Sequence, residues 1–302
     1  MLGKVRDVLT AGGYNEAICP SIIPGKWSES FSPWSSESAI RSSQPMPGVL
    51  DKASQNIGAV DQLRRSLVPS LLEARRVNEA RSNQDIDLFE TAKVYLPVAG
   101  KPIPDQPTML AIVTGHDYYS LKGIVEAIVR KIDPSQAVSI SKCDLELLDV
   151  SRRGTLEVAG QRLGFIGELS SAGKKLYGLR SKTSLVEVDL AVLEELAVII
   201  PQHVDQSPFP PMARDFNFIV ENSVHWLDLE ATVRESGGDL VESILYRETF
   251  RDPKKDGDSK KRLLLSVVLR AQDATLTGEQ ADEVCNRIIS SCGEKHSAAL
   301  VS

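Results

Sequence analysis

Residues suited to metal or redox chemistry are scarce in this chain: four cysteines and four histidines among 302 residues. Cys19, Cys143, Cys285 and Cys292 include no CxxC pair, and no two histidines stand at metal-ligand spacing, which argues against a zinc site. No run approaches the ~20 apolar residues needed to cross a bilayer, so no membrane role is expected. The first residues lack the charged-then-apolar pattern of a signal peptide, and the reading is a cytoplasmic protein with free thiols. Nucleotide and hydrolase signatures are missing too: no GxxxxGK[ST] loop, no GxGxxG after a strand, no GxSxG elbow, no HExxH. A net charge of −6 argues against indiscriminate nucleic-acid binding. What remains is ordinary globular material, 42% hydrophobic and 25% charged, long enough for one large domain or two ordinary ones.

The clearest pattern lies in residues 206–302, entered through Ser207-Pro208-Phe209-Pro210-Pro211. Phe216, Phe218 and Val220 alternate with Asn217, Ile219 and Glu221, the period-2 signal of a strand with one apolar face. Trp226 to Ser236 carries Leu229, Thr232 and Val233 at helical spacing and stops at Gly237-Gly238. Val241 to Phe250 and Lys261 to Arg270 read as two strands joined by the turn-rich segment Asp252 to Ser259. Thr277 and Gln280 predict a capping box, and Ala281, Val284, Cys285, Ile288 and Cys292 form one buried helical stripe behind it. Ala298 to Val301 is left to close the sheet. The order strand, helix, strand, strand, helix, strand predicts a ferredoxin-like βαββαβ domain, which on the end of an α/β body suggests a recognition appendage.

Residues 1–200 predict an α+β body, a mainly antiparallel sheet covered by helices. Lys4 to Ala11 reads as a helix ended by Gly12-Gly13. Pro24 to Pro47, rich in Ser and Pro with Trp27 and Trp34, reads as an irregular surface excursion. Ser66 is expected to cap a helix to about Ala80, with Leu67, Leu71 and Ala74 inward and Arg75, Arg76, Glu79 and Arg81 outward. Ile86 to Phe89 and Val94 to Leu96 read as short strands. Ser120 is expected to cap a helix striped by Ile124, Val125, Ile128, Val129 and Ile132. Leu156 to Ile166 predicts a hairpin turning at Ala159-Gly160-Gln161, and Leu185 to Leu190 another strand.

Catalytic signals in the body are poor. Asp85, Asp87 and Glu90 cluster, but carboxylates alternating along a strand edge are expected to be solvated. His116 beside Asp117 has the makings of an oriented base, yet no nucleophile adjoins it, and a surface histidine is the simpler reading. Charge is concentrated elsewhere. Between Arg247 and Arg262 stand Arg247, Arg251, Lys254, Lys255, Lys260, Lys261 and Arg262 against Glu248, Asp252, Asp256 and Asp258. The stretch is either a solvated loop of both signs or a phosphate-contacting patch, and sequence leaves the two open.

Several stretches, in order, resemble the β subunits of bacterial phenylalanine–tRNA ligases. They are Gly13-Tyr14-Asn15-Glu16-Ala17; Leu63-Arg64-Arg65-Ser66-Leu67-Val68-Pro69-Ser70-Leu71-Leu72; Leu88-Phe89-Glu90; Leu121-Lys122-Gly123; Gly164-Phe165-Ile166-Gly167; Phe209-Pro210 with Arg214-Asp215; and Thr275-Leu276-Thr277. Ala92, Ser120, Arg247, Glu248 and Ala274 depart from the family's usual residues. The resemblance implies a class II synthetase-like, catalytically silent core over 1–200, with no catalytic residue, and a ferredoxin-fold anticodon-binding domain over 206–302. It implies a C-terminal part of a longer subunit, supporting a catalytic α subunit that handles ATP and magnesium, with no cofactor in this chain. It also implies contact with tRNA(Phe), for which Arg214 joins the seven basic residues of 247–262 as the candidate RNA-binding set. The competing reading is a non-catalytic protein-interaction or small-molecule-sensing module.

Overall fold

The computed structural model describes residues 1–44, 59–83, 85–198, 200, 203, 205 and 207–301. The chain divides into two units, Met1–Pro201 and Gln202–Ser302. The first begins α1 (Leu2–Ala11), β1 (Asn15–Glu16), β2 (Ile22–Pro24), α2 (Gly25–Ser30), β3 (Val60–Leu63), α3 (Val68–Ala80) and β4 (Leu88–Lys93). It continues β5 (Thr108–Thr114), α4 (Tyr118–Ile132), β6 (Val138–Ser141), β7 (Leu148–Val158), β8 (Gln161–Leu169), α5 (Ser171–Tyr177), β9 (Ser184–Asp189) and α6 (Leu190–Glu195).

Seven strands form one sheet in the order β1-β4-β5-β9-β8-β7-β6, antiparallel throughout except for the β1–β4 pair. Side chains alternate across it. Leu110 and Ile112 of β5 join Val5 and Leu9 of α1 and Leu121, Val125 and Ile128 of α4 on one face. Met109, Ala111 and Val113 join Trp27 of α2, Leu67, and Leu71 and Leu72 of α3 on the other. Burial on both faces explains why Thr108 to Thr114 is almost continuously apolar, a strand whose lack of alternation hid it in the sequence. The predicted hairpin is present: Val158 faces Gln161, and Ala159 and Gly160 both have positive φ (51° and 75°), as a tight I′-type turn requires.

Five expectations are corrected. Pro24 to Pro47 is not a surface excursion over its first part, 24–34, whereas Ser36, Glu37, Ser38, Arg41, Ser43 and Gln44 are exposed (45–47 lie outside the described residues). Trp27 is buried, and Trp34 and Phe31 pack on Phe165 at 5.8 and 5.4 Å, covering the sheet. Arg75 does not face out: it is 1% exposed and donates to the Ile86 carbonyl and Ser181 Oγ, partners supplied by distant chain that a helical period cannot reveal. Leu67, not Ser66, holds the cap position of α3, with Ser66 Oγ one residue earlier accepting from Val68 N at 3.2 Å. At α4 the cap is Asp117, whose carboxylate accepts from Ser120 N at 2.8 Å. Val94 to Leu96 is not a strand; it contributes one isolated bridge, Leu96 with Asp105.

The second unit contains β10 (Met212–Glu221), α7 (Trp226–Gly237), β11 (Val241–Phe250), α8 (Pro253–Asp256), β12 (Lys260–Leu269), α9 (Gly278–His296) and β13 (Ala299–Leu300). Its sheet runs β11-β12-β10-β13, all antiparallel, the ferredoxin-like order expected for βαββαβ. Phe216, Phe218 and Val220 meet Leu229 and Val233 of α7 and Ala281, Val284, Ile288 and Cys292 of α9 in one core. Both halves of the capping box form: Gln280 N donates to Thr277 Oγ1 at 3.2 Å and Thr277 N to Gln280 Oε1 at 2.9 Å. Thr277→Ala is therefore expected to destabilise this unit by about 1 kcal/mol, read as a lower urea midpoint with an unchanged slope.

Candidate nucleic-acid interface

Register decides which side of the second sheet is free. Both helices cover the face that carries Phe216, Phe218 and Val220. Side chains alternate, so Asp215, Asn217 and Ile219 stand on the opposite face. Their cross-strand partners are Ser266, Leu264 and Arg262, which in turn face Leu245, Glu248 and Phe250 of β11. Neither α7 nor α9 covers this face; Leu245 and Phe250 are 44% and 50% exposed, while Ser266 between them and Asp215 is buried.

The eight candidate RNA contacts do not form one patch. Arg247 and Arg262 reach the open face. Arg247 Nε donates to Ser266 Oγ at 2.9 Å, and Ser266 Oγ donates to Asp215 Oδ1, so a guanidinium, a hydroxyl and a carboxylate form a chain across three strands. Arg262 grips Asp256 of α8 through two bonds of 2.6 and 2.8 Å, and this pairing holds the Asp256 carboxyl below its usual range. The grip fixes the β11–β12 connection beside the open face. Asp252 caps α8 by accepting from Lys255 N at 3.3 Å, and Gly257, at φ 88°, reverses the chain where a side chain would be strained.

Lys254, Lys255 and Lys260 are exposed around that connection, and Arg251 joins them with its Nε 3.4 Å from Asn222 Oδ1. These four make a cationic rim. Two candidates fall elsewhere. Lys261 is buried, its Nζ donating to the Asn222 carbonyl at 3.0 Å, and burial depresses its pKa. It holds the β10–α7 turn. Arg214 lies at the helix side of β10, 3.4 Å from Asp282 of α9. Phe250 is an exposed aromatic side chain of this face that sequence reasoning missed. Period-2 reading across Val241 to Phe250 is broken by register shifts at Val241/Ser243 and Tyr246/Glu248, so its face could not be counted from the strand start. Asn217 Oδ1, on the same side of the sheet, is buried and has no hydrogen-bond partner among the described residues.

Apart from Asp85, the acidic and histidine candidates of the first unit are engaged in the fold. Glu90 is 2% exposed, pairs with Arg64 Nη1 at 3.1 Å and accepts from Cys19 N at 3.1 Å, which corrects the expectation of a solvated edge. Asp87 accepts from the Thr114 hydroxyl and from Gly115 N at 3.1 Å, and its other oxygen lies 3.1 Å from His116 Nε2. Asp85 remains exposed. Glu168 is held by Arg152 at 2.8 Å and Lys182 at 3.0 Å. Among the described residues no three His, Cys, Asp or Glu side chains converge as a metal site requires.

Comparison with known proteins gives these units a family. The phenylalanyl tRNA synthetase beta chain CLM domain matches residues 1–190, and the ferredoxin-fold anticodon binding domain matches residues 207–300. A phenylalanine–tRNA ligase beta subunit of Rhodopirellula baltica is 32% identical over 99% of this chain and 44% of its own length. The corresponding subunit of Symbiobacterium thermophilum is 30% identical over 75% of this chain and 27% of its own. That of Listeria monocytogenes is 26% identical over 98% and 37%. The chain thus spans less than half the length of these relatives. A match over most of its residues to the first domain, followed by a match over nearly all the rest to the second, shows that the chain belongs to the phenylalanyl tRNA synthetase beta chain family.

Proposed function

We propose that the chain is the C-terminal part of a cytoplasmic phenylalanine–tRNA ligase β subunit. Its first unit, over 1–200, serves as a silent scaffold for a catalytic α subunit, and its second, over 206–302, binds tRNA(Phe) near the anticodon. The ATP-dependent attachment of phenylalanine, and the magnesium it uses, belong to the partner. Supporting a silent scaffold, the buried carboxylates of the first unit are occupied by Arg64 or by hydrogen-bond donors. The observation that carries the RNA role is the open face of the second sheet. Exposed Phe250 supplies a stacking surface, Glu248 supplies a polar edge, and the rim of Arg251, Lys254, Lys255 and Lys260 supplies phosphate contacts.

Titrating the 302-residue chain with tRNA(Phe) over a salt series tests this. Phe250→Ala is expected to weaken binding by roughly 1–3 kcal/mol, the usual loss for one base–aromatic stack. Substituting Lys254 and Lys255 together by Gln is expected to flatten the salt slope by about two counterions. Binding indifferent to the anticodon sequence would leave the protein-interaction or sensing alternative standing.

A further inference from the structure

Two consecutive residues of β11 bring their charged ends to the open face of the second sheet, which a regular strand does not allow. The register shift between Tyr246 and Glu248 is the cause. Arg247 is the extra residue there, so Glu248 stands opposite Leu264 while the Arg247 guanidinium reaches Ser266 on the same face. Bulges re-aim side chains in this way. Arg247 is exposed, yet it is held from below: its Nε donates to Ser266 Oγ at 2.9 Å, and Ser266, 2% exposed, donates onward to Asp215. A guanidinium has five N–H donors, and committing Nε–H to the sheet leaves both Nη groups. No acceptor takes these among the described residues, and the exposed Glu248 carboxylate likewise has no partner there. The two neighbours do not pair with one another. A fixed fork of donors thus stands beside a free carboxylate, on the face that exposes Phe250.

Charge and donor pattern decide what this pair fits. A phosphate suits an isolated guanidinium. Here carboxylates flank it, Glu248 next in the chain and Asp215 behind Ser266, and both repel an anion. A neutral ligand that offers acceptors to the fork and donors to the carboxylate is favoured. Among RNA bases guanine does both: O6 and N7 are an acceptor pair that a bidentate arginine takes, and N1–H and N2–H2 form a donor pair beside it. Adenine sets an amino group where the fork needs O6, and uracil has no adjacent acceptor pair. Cytosine can face the fork with O2 and N3 but then gives the carboxylate a single amino group. Unstacked bases of single-stranded RNA present both edges at once.

We infer that Arg247 and Glu248 form a site that reads a guanine base of single-stranded RNA. The site lies within the face proposed to bind tRNA(Phe) and rests on that reading for its ligand class. Both residues depart from those usual in the family, so the pair belongs to this chain. Fluorescence anisotropy on the 302-residue chain tests it, with labelled tRNA(Phe) and with RNA hairpins whose uridine loop carries one guanosine, adenosine, cytidine, inosine or 7-deazaguanosine. The guanosine hairpin is expected to bind ~10-fold tighter than the adenosine and cytidine hairpins. Inosine, which lacks N2–H2, and 7-deazaguanosine, which lacks the N7 acceptor, are each expected to bind ~3-fold or more weaker than guanosine. In Arg247→Ala the guanosine and 7-deazaguanosine hairpins are expected to bind alike, and in Glu248→Ala the guanosine and inosine hairpins, with circular dichroism unchanged. Arg247→Ala weakening every hairpin by one factor, with a flatter salt slope, means a phosphate contact and overturns the inference. Adenosine or cytidine hairpins binding as tightly as guanosine while tRNA(Phe) still binds overturn it too, and leave the tRNA reading standing. Loss of all RNA binding, tRNA(Phe) included, sinks both.

Discussion

Glu187→Ala is expected to destabilise the first unit by about 3–5 kcal/mol, the scale of breaking a buried, fully bonded charge site. Glu187 of β9 is 0% exposed and accepts three bonds from two separate segments: Leu67 N at 2.6 Å, Ser66 Oγ at 2.7 Å and Trp34 Nε1 at 2.8 Å. It thereby ties the start of α3 and the aromatic cover to the middle of the sheet. Alanine removes the acceptor and leaves three buried donors unpaired, each worth roughly 1–3 kcal/mol when desolvated without a partner. Burial outweighs those donors and nearby Arg64 and pushes the carboxyl up to about 7. A folded-state pKa above the ordinary carboxylate value has a definite consequence. Stability from this group is complete below that ordinary value and is lost as pH rises through the folded pKa. Urea unfolding of the wild type and of Glu187→Ala should therefore show a gap that narrows from about pH 5 to pH 8. A gap that widens over that interval would show that the three donors, not burial, set the charge state.

Why the two units were so unequally legible follows from how they bury their strands. In the second, helices cover one face of the sheet only, so β10 and α9 each carry a one-sided pattern, and Phe216, Phe218, Val220, Ala281, Val284, Ile288 and Cys292 could be assigned inward from spacing alone. In the first, both faces are covered. β5 then lost its alternation, and the aromatic side chains that cover the second face sit in a Ser- and Pro-rich stretch with no period at all. Arg75 shows the same limit from the polar side: its burial depends on Ile86 and Ser181, which meet only in three dimensions. The candidate interface was legible as composition and not as geometry. Counting charges found the rim around α8, but it could not tell exposed Lys260 from buried Lys261, because one residue of offset turns a strand side chain to the opposite face. Phe250 lay behind two bulges, where counting fails altogether.

Gly164→Ala and Gly123→Ala are expected to move stability in opposite directions, although both glycines sit in the short stretches that carry the family resemblance. Gly164 of β8 faces Val188 across the ladder. A Cβ there would lie 2.0 Å from the Glu187 carbonyl oxygen and 2.8 Å from Val188 Cα. Both obstacles are backbone, so no side-chain rotation relieves the clash, and β8 and β9 would have to part at the strand that carries Glu187. Overpacking of this kind is expected to cost at least about 3 kcal/mol. Gly123 lies exposed within α4, and a Cβ there meets nothing within 4 Å. Alanine at that position removes backbone freedom from the unfolded chain and is expected to stabilise by about 1 kcal/mol. Melting curves of the two variants beside the wild type read both signs at once. A Gly164→Ala protein melting with the wild type would mean that the β8–β9 approach is not as close as the geometry places it, and the path of Glu187 into the core would then be misdrawn.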